Sequence, residues 1–204
     1  MTDDVQATKW FDKAAAQGDA DGQFLLGLQY SLGHGVPQDY VQAAKWFEKA
    51  AAQGDATAQV RLGELYDFGL GVPQDYATAR QLYEKAAAQG NAEAQFHLGT
   101  LYFTGGGVPQ DEVQAAKWIE KAAAQGNAEA QWALGNQYAR GMGVPQDDVR
   151  AYMWVNIAAA HSTGNLQKSA ANNRDTFAQR MTPVQIAESK RLSQQCQAQQ
   201  FKGC

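Results

Sequence analysis

Apolar and small residues recur along this chain at three- and four-residue steps, in blocks of helix length separated by short polar stretches rich in glycine. Ala43, Trp46, Phe47, Ala50 and Ala51 fall on one stripe of a helix, and Ala58, Leu62, Gly63 and Tyr66 do so in the next block. The second kind of block ends in a glycine pair such as Gly69 and Gly71, which predicts a helix stop in the left-handed conformation that glycine tolerates best. A Pro-Gln-Asp string follows. It predicts a new helix start, with Asp39, Asp75, Asp111 and Asp147 accepting from otherwise unpaired N–H groups and Gln42 and Gln114 three residues on, where a capping box places them. Gln-Gly-Asp or Gln-Gly-Asn closes that helix, with Gly18, Gly54, Gly90 and Gly126 as C-caps.

The blocks are periodic. Pro37, Pro73, Pro109 and Pro145 are spaced by 36 residues, each inside an identical Gly-Val-Pro-Gln-Asp string. Aligned on it, the chain divides into a half unit, 3–19, and units 20–55, 56–91, 92–127 and 128–163, each predicted as two helices. A period in this range is the mark of a solenoid, so 1–204 is expected to form a single domain of stacked units. Gly27, Gly63, Gly99 and Gly135 recur at one place in every first helix, where a missing Cβ lets the partner helix approach. Trp46 and Trp118 are expected to fill the space between neighbouring units, and truncating one to alanine to cost about 3–5 kcal/mol.

After Asp147 the pattern changes: Ala151-Tyr152-Met153-Trp154-Val155-Asn156 replaces the lysine-bearing second helix. Beyond Gly164, two amphipathic stretches run over about 165–181 and 183–200. Thr182, Pro183 and Gln185 predict the start of the last helix, as capping hydroxyl, first-turn proline and return glutamine.

Composition narrows the function. The 17 Lys and Arg are scattered and the formal net charge is −4, which gives no basic footprint for nucleic acid. No apolar run reaches the roughly 20 residues that span a bilayer, and the Met-Thr-Asp-Asp start has neither the basic nor the apolar region of a signal peptide. Cys196 and Cys204 are the only cysteines and no Cys/His cluster has zinc-ligand spacing, so neither metal nor cofactor is expected. On an unbroken helix eight residues cover about 12 Å, beyond the roughly 7 Å limit for a disulfide, so a bridge requires the tail to fold back, as Gly203 permits. Two readings stand: free thiols in a reducing cytosol, or a staple on an exported protein.

The strings Ala-x-x-x-x-x-Leu-Gly-x-x-Tyr-x-x-Gly-x-Gly-Val-Pro-Gln-Asp and Ala-x-x-Trp-Phe-x-Lys-Ala-Ala-x-Gln-Gly resemble the bacterial Sel-one-like repeat family, related to tetratricopeptide repeats, over residues 3 to about 160. The resemblance implies an all-α fold, α/α-hairpins wound into a right-handed superhelical solenoid, serving as a protein–protein adaptor. It also implies that 164–204 is a C-terminal helical cap. The chain opens on the second helix of a unit, since Val5, Ala7, Trp10 and Phe11 match Val41, Ala43, Trp46 and Phe47. We therefore expect a trimmed longer protein, periplasmic or secreted if a leader was removed and cytoplasmic otherwise, with self-association through the half unit as an alternative role.

By the same resemblance a binding groove is lined by first-helix positions two, five, nine, twelve and thirteen. The fifth places are Phe24, Val60, Phe96 and Trp132; the ninth are Leu28, Glu64, Thr100 and Asn136; the last two include Asp67, Phe68, Phe103 and Arg140. These vary while Leu-Gly-x-x-Tyr does not. The implied partner is an extended peptide or a helix, and the second positions Asp21, Thr57, Glu93 and Glu129 give an acidic margin that favours a basic or amphipathic one. Catalysis is not expected: His34, His97 and His161 fall in unrelated places, and Gly105-Gly106-Gly107 lacks the Gly-Lys-Ser/Thr of a phosphate loop. Some cysteine-rich relatives carry a β-lactamase label, but Ser-x-x-Lys, Lys-Thr-Gly and Gly-x-Ser-x-Gly are all missing from this sequence.

Overall fold

Each Pro-Gln-Asp string does three separate things where two helices meet. In the first full repeat Pro37 cannot continue a helix. Gln38 swings its Nε2 back to donate to the Ser31 carbonyl at 2.8 Å, and Asp39 accepts from the Gln42 N–H at 3.0 Å. The Asp39 N–H in turn donates to the Tyr30 carbonyl at 2.8 Å, and Asp75, Asp111 and Asp147 repeat that bond to Tyr66, Tyr102 and Tyr138. The tyrosine of each first helix is thus tied by its carbonyl to the cap of the next. Gln-Gly-Asp is equally economical: the glycine ends one helix at positive φ, and the residue after it caps the next. Asp19, Asp55, Asn91 and Asn127 accept from Gly22, Ala58, Ala94 and Ala130.

The computed structural model describes residues 3–201, 203 and 204; Met1, Thr2 and Lys202, inside the expected 1–204 domain, lie outside the described residues. Among these there are eleven helices and no strand: α1 (Asp3–Ala16), α2 (Ala20–Leu32), α3 (Tyr40–Ala52), α4 (Ala56–Phe68), α5 (Tyr76–Ala88), α6 (Ala92–Thr104), α7 (Glu112–Ala123), α8 (Ala128–Arg140), α9 (Asp148–His161), α10 (Gly164–Ala178) and α11 (Pro183–Ala198). None is long and apolar enough to cross a membrane. The residues divide into two units, Met1–Ala94 and Gln95–Cys204.

In the first unit α1 to α5 pack consecutively, each against the next. Its core gathers Ala43, Ala44 and Phe47 of α3 with Leu62 and Leu65 of α4. The glycine column sets the approach: a Cβ at Gly27 would stand 2.6 Å from the Phe47 ring, and one at Gly63 2.6 Å from that of Tyr83. The residue seated on the glycine is therefore the one after the tryptophan position. Trp46 and Trp118 are only half-buried, with Lys49 Nζ 3.8 Å and Lys121 Nζ 4.1 Å from their ring centroids. This corrects the expectation that these tryptophans fill the space between units. A ladder of glutamines also runs through this unit, with Gln53 Nε2 donating to Gln23 Oε1 at 2.8 Å and Gln89 Nε2 to Gln59 Oε1 at 3.1 Å.

In the second unit α7 packs on α8 and α8 on α9, and α9 is also covered by α10 and α11. That cover explains why Tyr152, Met153, Trp154, Val155 and Ile157 are all buried. Thr182 and Gln185 form a reciprocal capping box at the start of α11. Ser193 Oγ on that helix donates to the Met153 carbonyl at 3.3 Å, and Arg180 pairs with Asp148 at 2.6 Å. Beyond α11 the tail turns back through Gln200 and Phe201, both at positive φ, and Cys196 and Cys204 are joined with their Cα atoms 5.5 Å apart. The turn sets Phe201 edge-on to His161 at 5.3 Å. The Gln125 to Gln95 rung, at 2.8 Å, is in this unit too. In the following repeat His161 takes the donor's place, with its Nδ1 3.0 Å from the Ile157 carbonyl oxygen, and the Oε1 of buried Gln131 is left unpaired.

Candidate functional site

In the second unit the first helices of repeats three and four bring the expected positions together. Phe96, Thr100 and Phe103 come from α6 and Trp132, Asn136 and Arg140 from α8, at the steps that share one helix face. All line one cleft of about 400 Å3, completed by Ile119, Ala133, Gln137, Met142 and Asn173. The walls are mostly aromatic and aliphatic. Two side chains are locked: Thr100 Oγ1 donates to the Phe96 carbonyl at 3.1 Å, and Asn136 donates to the Trp132 carbonyl at 2.8 Å while accepting from Asn173 at 2.7 Å. Arg140 is exposed and is the only charged residue in the lining.

The expected residues of the first unit divide differently. Leu28, Glu64 and Phe68 line a second cleft of about 510 Å3, with Leu32, Arg61 and Leu70 among their neighbours. Phe68 is 64% exposed and Leu32 57%. Arg61 donates to Glu64 at 2.8 Å and to Glu93 at 2.9 Å. Its partial burial opposes the charge, but the two carboxylates outweigh that and raise its pKa. Glu93, expected in an acidic margin, is thus already engaged by a guanidinium. Val60 is fully buried and lines neither cleft. Phe24 is half-buried with its ring 5.9 Å from that of Phe47, which makes it a packing residue. Asp67 accepts from the Tyr83 hydroxyl at 3.4 Å, and burial, then the nearby carboxylate charge, push the Tyr83 pKa up.

Sequence reasoning missed Gln137, Ile119, Met142 and Asn173. For Gln137 a signal was present: its place in the repeat is occupied by Leu65 and Leu101 in the two preceding units, both buried. The first repeat also has a glutamine here, Gln29, but it is only half-buried, so a buried glutamine after two buried leucines marks a change of use. Asn173 gave no such signal, because it lies beyond the repeats.

The Sel1 repeat model matches residues 2–19, 20–55, 56–91, 92–127 and 128–162. Among curated proteins none matches the sequence. Among solved structures, a protective antigen present in uropathogenic Escherichia coli strains and displaying an SLR fold is 39% identical with a TM-score of 0.88, over 97% of this chain and 42% of its own. A Sel1 repeat protein from Oxalobacter formigenes is 36% identical with a TM-score of 0.73, over 85% of this chain and 64% of its own. The chain therefore spans less than two thirds of either relative. An immunity protein from Pseudomonas aeruginosa, 18% identical with a TM-score of 0.55 over 90% of this chain and 74% of its own, shares the fold alone. Sel1 repeat proteins are generally non-enzymatic scaffolds for protein–protein interaction. With its 36-residue α/α repeats matched from one unit to the next, this chain belongs to the Sel1 repeat family.

Proposed function

We propose that this chain is an adaptor that holds a peptide or partner segment against the first helices of its repeats. One observation carries the reading: Phe96, Thr100 and Phe103 of repeat three and Trp132, Asn136 and Arg140 of repeat four, all expected to contact a partner, line the same apolar cleft. The partly exposed Phe68 and Leu32 beside the first-unit cleft add apolar surface of the kind partners cover. The test is affinity capture from a bacterial lysate with the protein and with a Phe96→Ala/Arg140→Ala variant, both shown to be folded by circular dichroism. A protein retained by the first and lost by the second supports the reading; equal retention, or none, refutes it.

Self-association through the half unit is the second reading, favoured by Trp10 of α1, which is 61% exposed. Sedimentation velocity separates the two: a concentration-dependent dimer lost on Trp10→Ala supports stacking, and a monomer at all concentrations removes it.

A further inference from the structure

Gln137 is 3% exposed, and neither its Nε2 nor its Oε1 has a hydrogen-bond partner. Burying an amide unpaired carries its full desolvation penalty, whereas the leucine used at this place in repeats two and three adds apolar burial at no such cost. In the first repeat the equivalent Gln29 is only half-buried, and its Oε1 is 3.5 Å from the Thr8 hydroxyl. Packing alone therefore does not account for Gln137. The Nε1 of Trp132, on the same cleft, is also buried without a partner. Asn136 differs, since both ends of its amide are already used within the fold.

The cleft thus holds two unpaired donors and one unpaired acceptor among aromatic and aliphatic walls. A primary amide offering both N–H and C=O complements a peptide unit. In a helical partner those main-chain groups are consumed internally, while in an extended chain they are free to pair. Charge completes the pattern. Arg140 has no ion-pair partner among the described residues, and it follows Gln137 by three residues on α8. That is about 4.5 Å along the helix, the reach of one to two residues of extended chain.

We propose that this cleft binds an extended peptide whose main chain pairs with the Gln137 amide and the Trp132 indole N–H. An apolar side chain of the peptide enters beside Phe96 and Phe103, and an Asp or Glu one or two residues away meets Arg140. The inference rests on the adaptor reading and narrows it: the ligand of this cleft is acidic and extended, not basic or helical.

The probe is a display library of random peptides flanked on both sides by neutral linkers, selected on the intact protein. Enriched peptides are then measured by fluorescence anisotropy. The expected consensus has Asp or Glu within two positions of an aromatic or aliphatic residue. Gln137→Leu lowers affinity at least tenfold while raising the melting temperature, and Arg140→Glu weakens binding but is rescued by a Glu-to-Lys peptide. Scanning N-methylation of the peptide, which needs no protein variant, finds at least one main-chain N–H whose loss costs tenfold. A Lys/Arg-rich consensus, full binding by Gln137→Leu, or tolerance of N-methylation throughout overturns the proposal. If such peptides still depend on Phe96, only this inference falls; if none is enriched, or binding survives Phe96→Ala, the adaptor reading falls with it.

Discussion

Close approach of α8 and α9 is held by a missing atom, and restoring it has a calculable effect. A Cβ at Gly135 would stand 2.6 Å from Val155 Cγ1, 3.0 Å from the Ala151 carbonyl oxygen and 3.1 Å from the Val155 nitrogen, against a comfortable carbon–carbon separation of about 3.5–4.0 Å. Two of these neighbours are backbone atoms that cannot rotate aside, and both residues are fully buried. Overpacking of this kind costs about 1–3 kcal/mol. Replacing glycine by alanine inside a helix returns about 1 kcal/mol. Gly135→Ala should therefore destabilise by up to about 2 kcal/mol, where a glycine with free space around it would give a stabilised variant. Val155→Ala removes the nearest contact and leaves a cavity, at about 2–3 kcal/mol. In the double variant the new methyl occupies part of the vacated space, so the combined loss should fall short of the sum by about 1–2 kcal/mol. Urea unfolding of the four proteins, compared at a common slope, measures the cycle. A stabilised Gly135→Ala, or a coupling within about 0.5 kcal/mol of zero, refutes the steric account.

Phe47→Ala should cost about 3–5 kcal/mol and Trp46→Ala distinctly less by the same urea assay, because Phe47 is 1% exposed while Trp46 is half-buried under Lys49. The Thr78 hydroxyl bond, followed by the Thr78 and Ala77 N–H bonds, lowers the Asp75 pKa. A carboxylate with a depressed folded pKa stabilises above its unfolded pKa and loses that contribution as pH falls through the folded value, so carboxyl NMR should find Asp75 titrating below an ordinary aspartate and moving up in Thr78→Ala. Reduction, or Cys196→Ser with Cys204→Ser, should cost up to about 2.5 kcal/mol from the short loop closed; the same change should remove amide-exchange protection at Phe201 and leave α2 to α5 untouched.

The repeat boundaries and helix caps were legible because each rests on local chemistry: a proline, a glycine at positive φ, an aspartate within reach of an N–H. The packing register was less so. Trp46 and Phe47 are adjacent and both apolar, and the pattern alone does not say which one meets the glycine column. The lysine three residues after Trp10, Trp46 and Trp118 carried the answer, since an ammonium stacked on a ring keeps that face near water. In the last repeat that lysine is replaced by Ile157, and Trp154 is buried beneath the terminal helices. The glutamine ladder stayed hidden because its partners lie 30 residues apart in strings that read as generic polar filler.

The same reasoning separates the site residues that column position identified from those it did not. Position five lines the cleft in Phe96 and Trp132 and is core in Val60. In repeat two the groove side is crossed by the Arg61, Glu64 and Glu93 pairs; in repeats three and four it opens onto Asn136 and Gln137. Column identity thus selects the helix face, and a break within a column selects the site. Leu65 and Leu101 giving way to a buried Gln137 is such a break. It singles out the cleft in the second unit over the one in the first, where the charged groups already answer one another and nothing polar is left buried without a partner on the lining side chains.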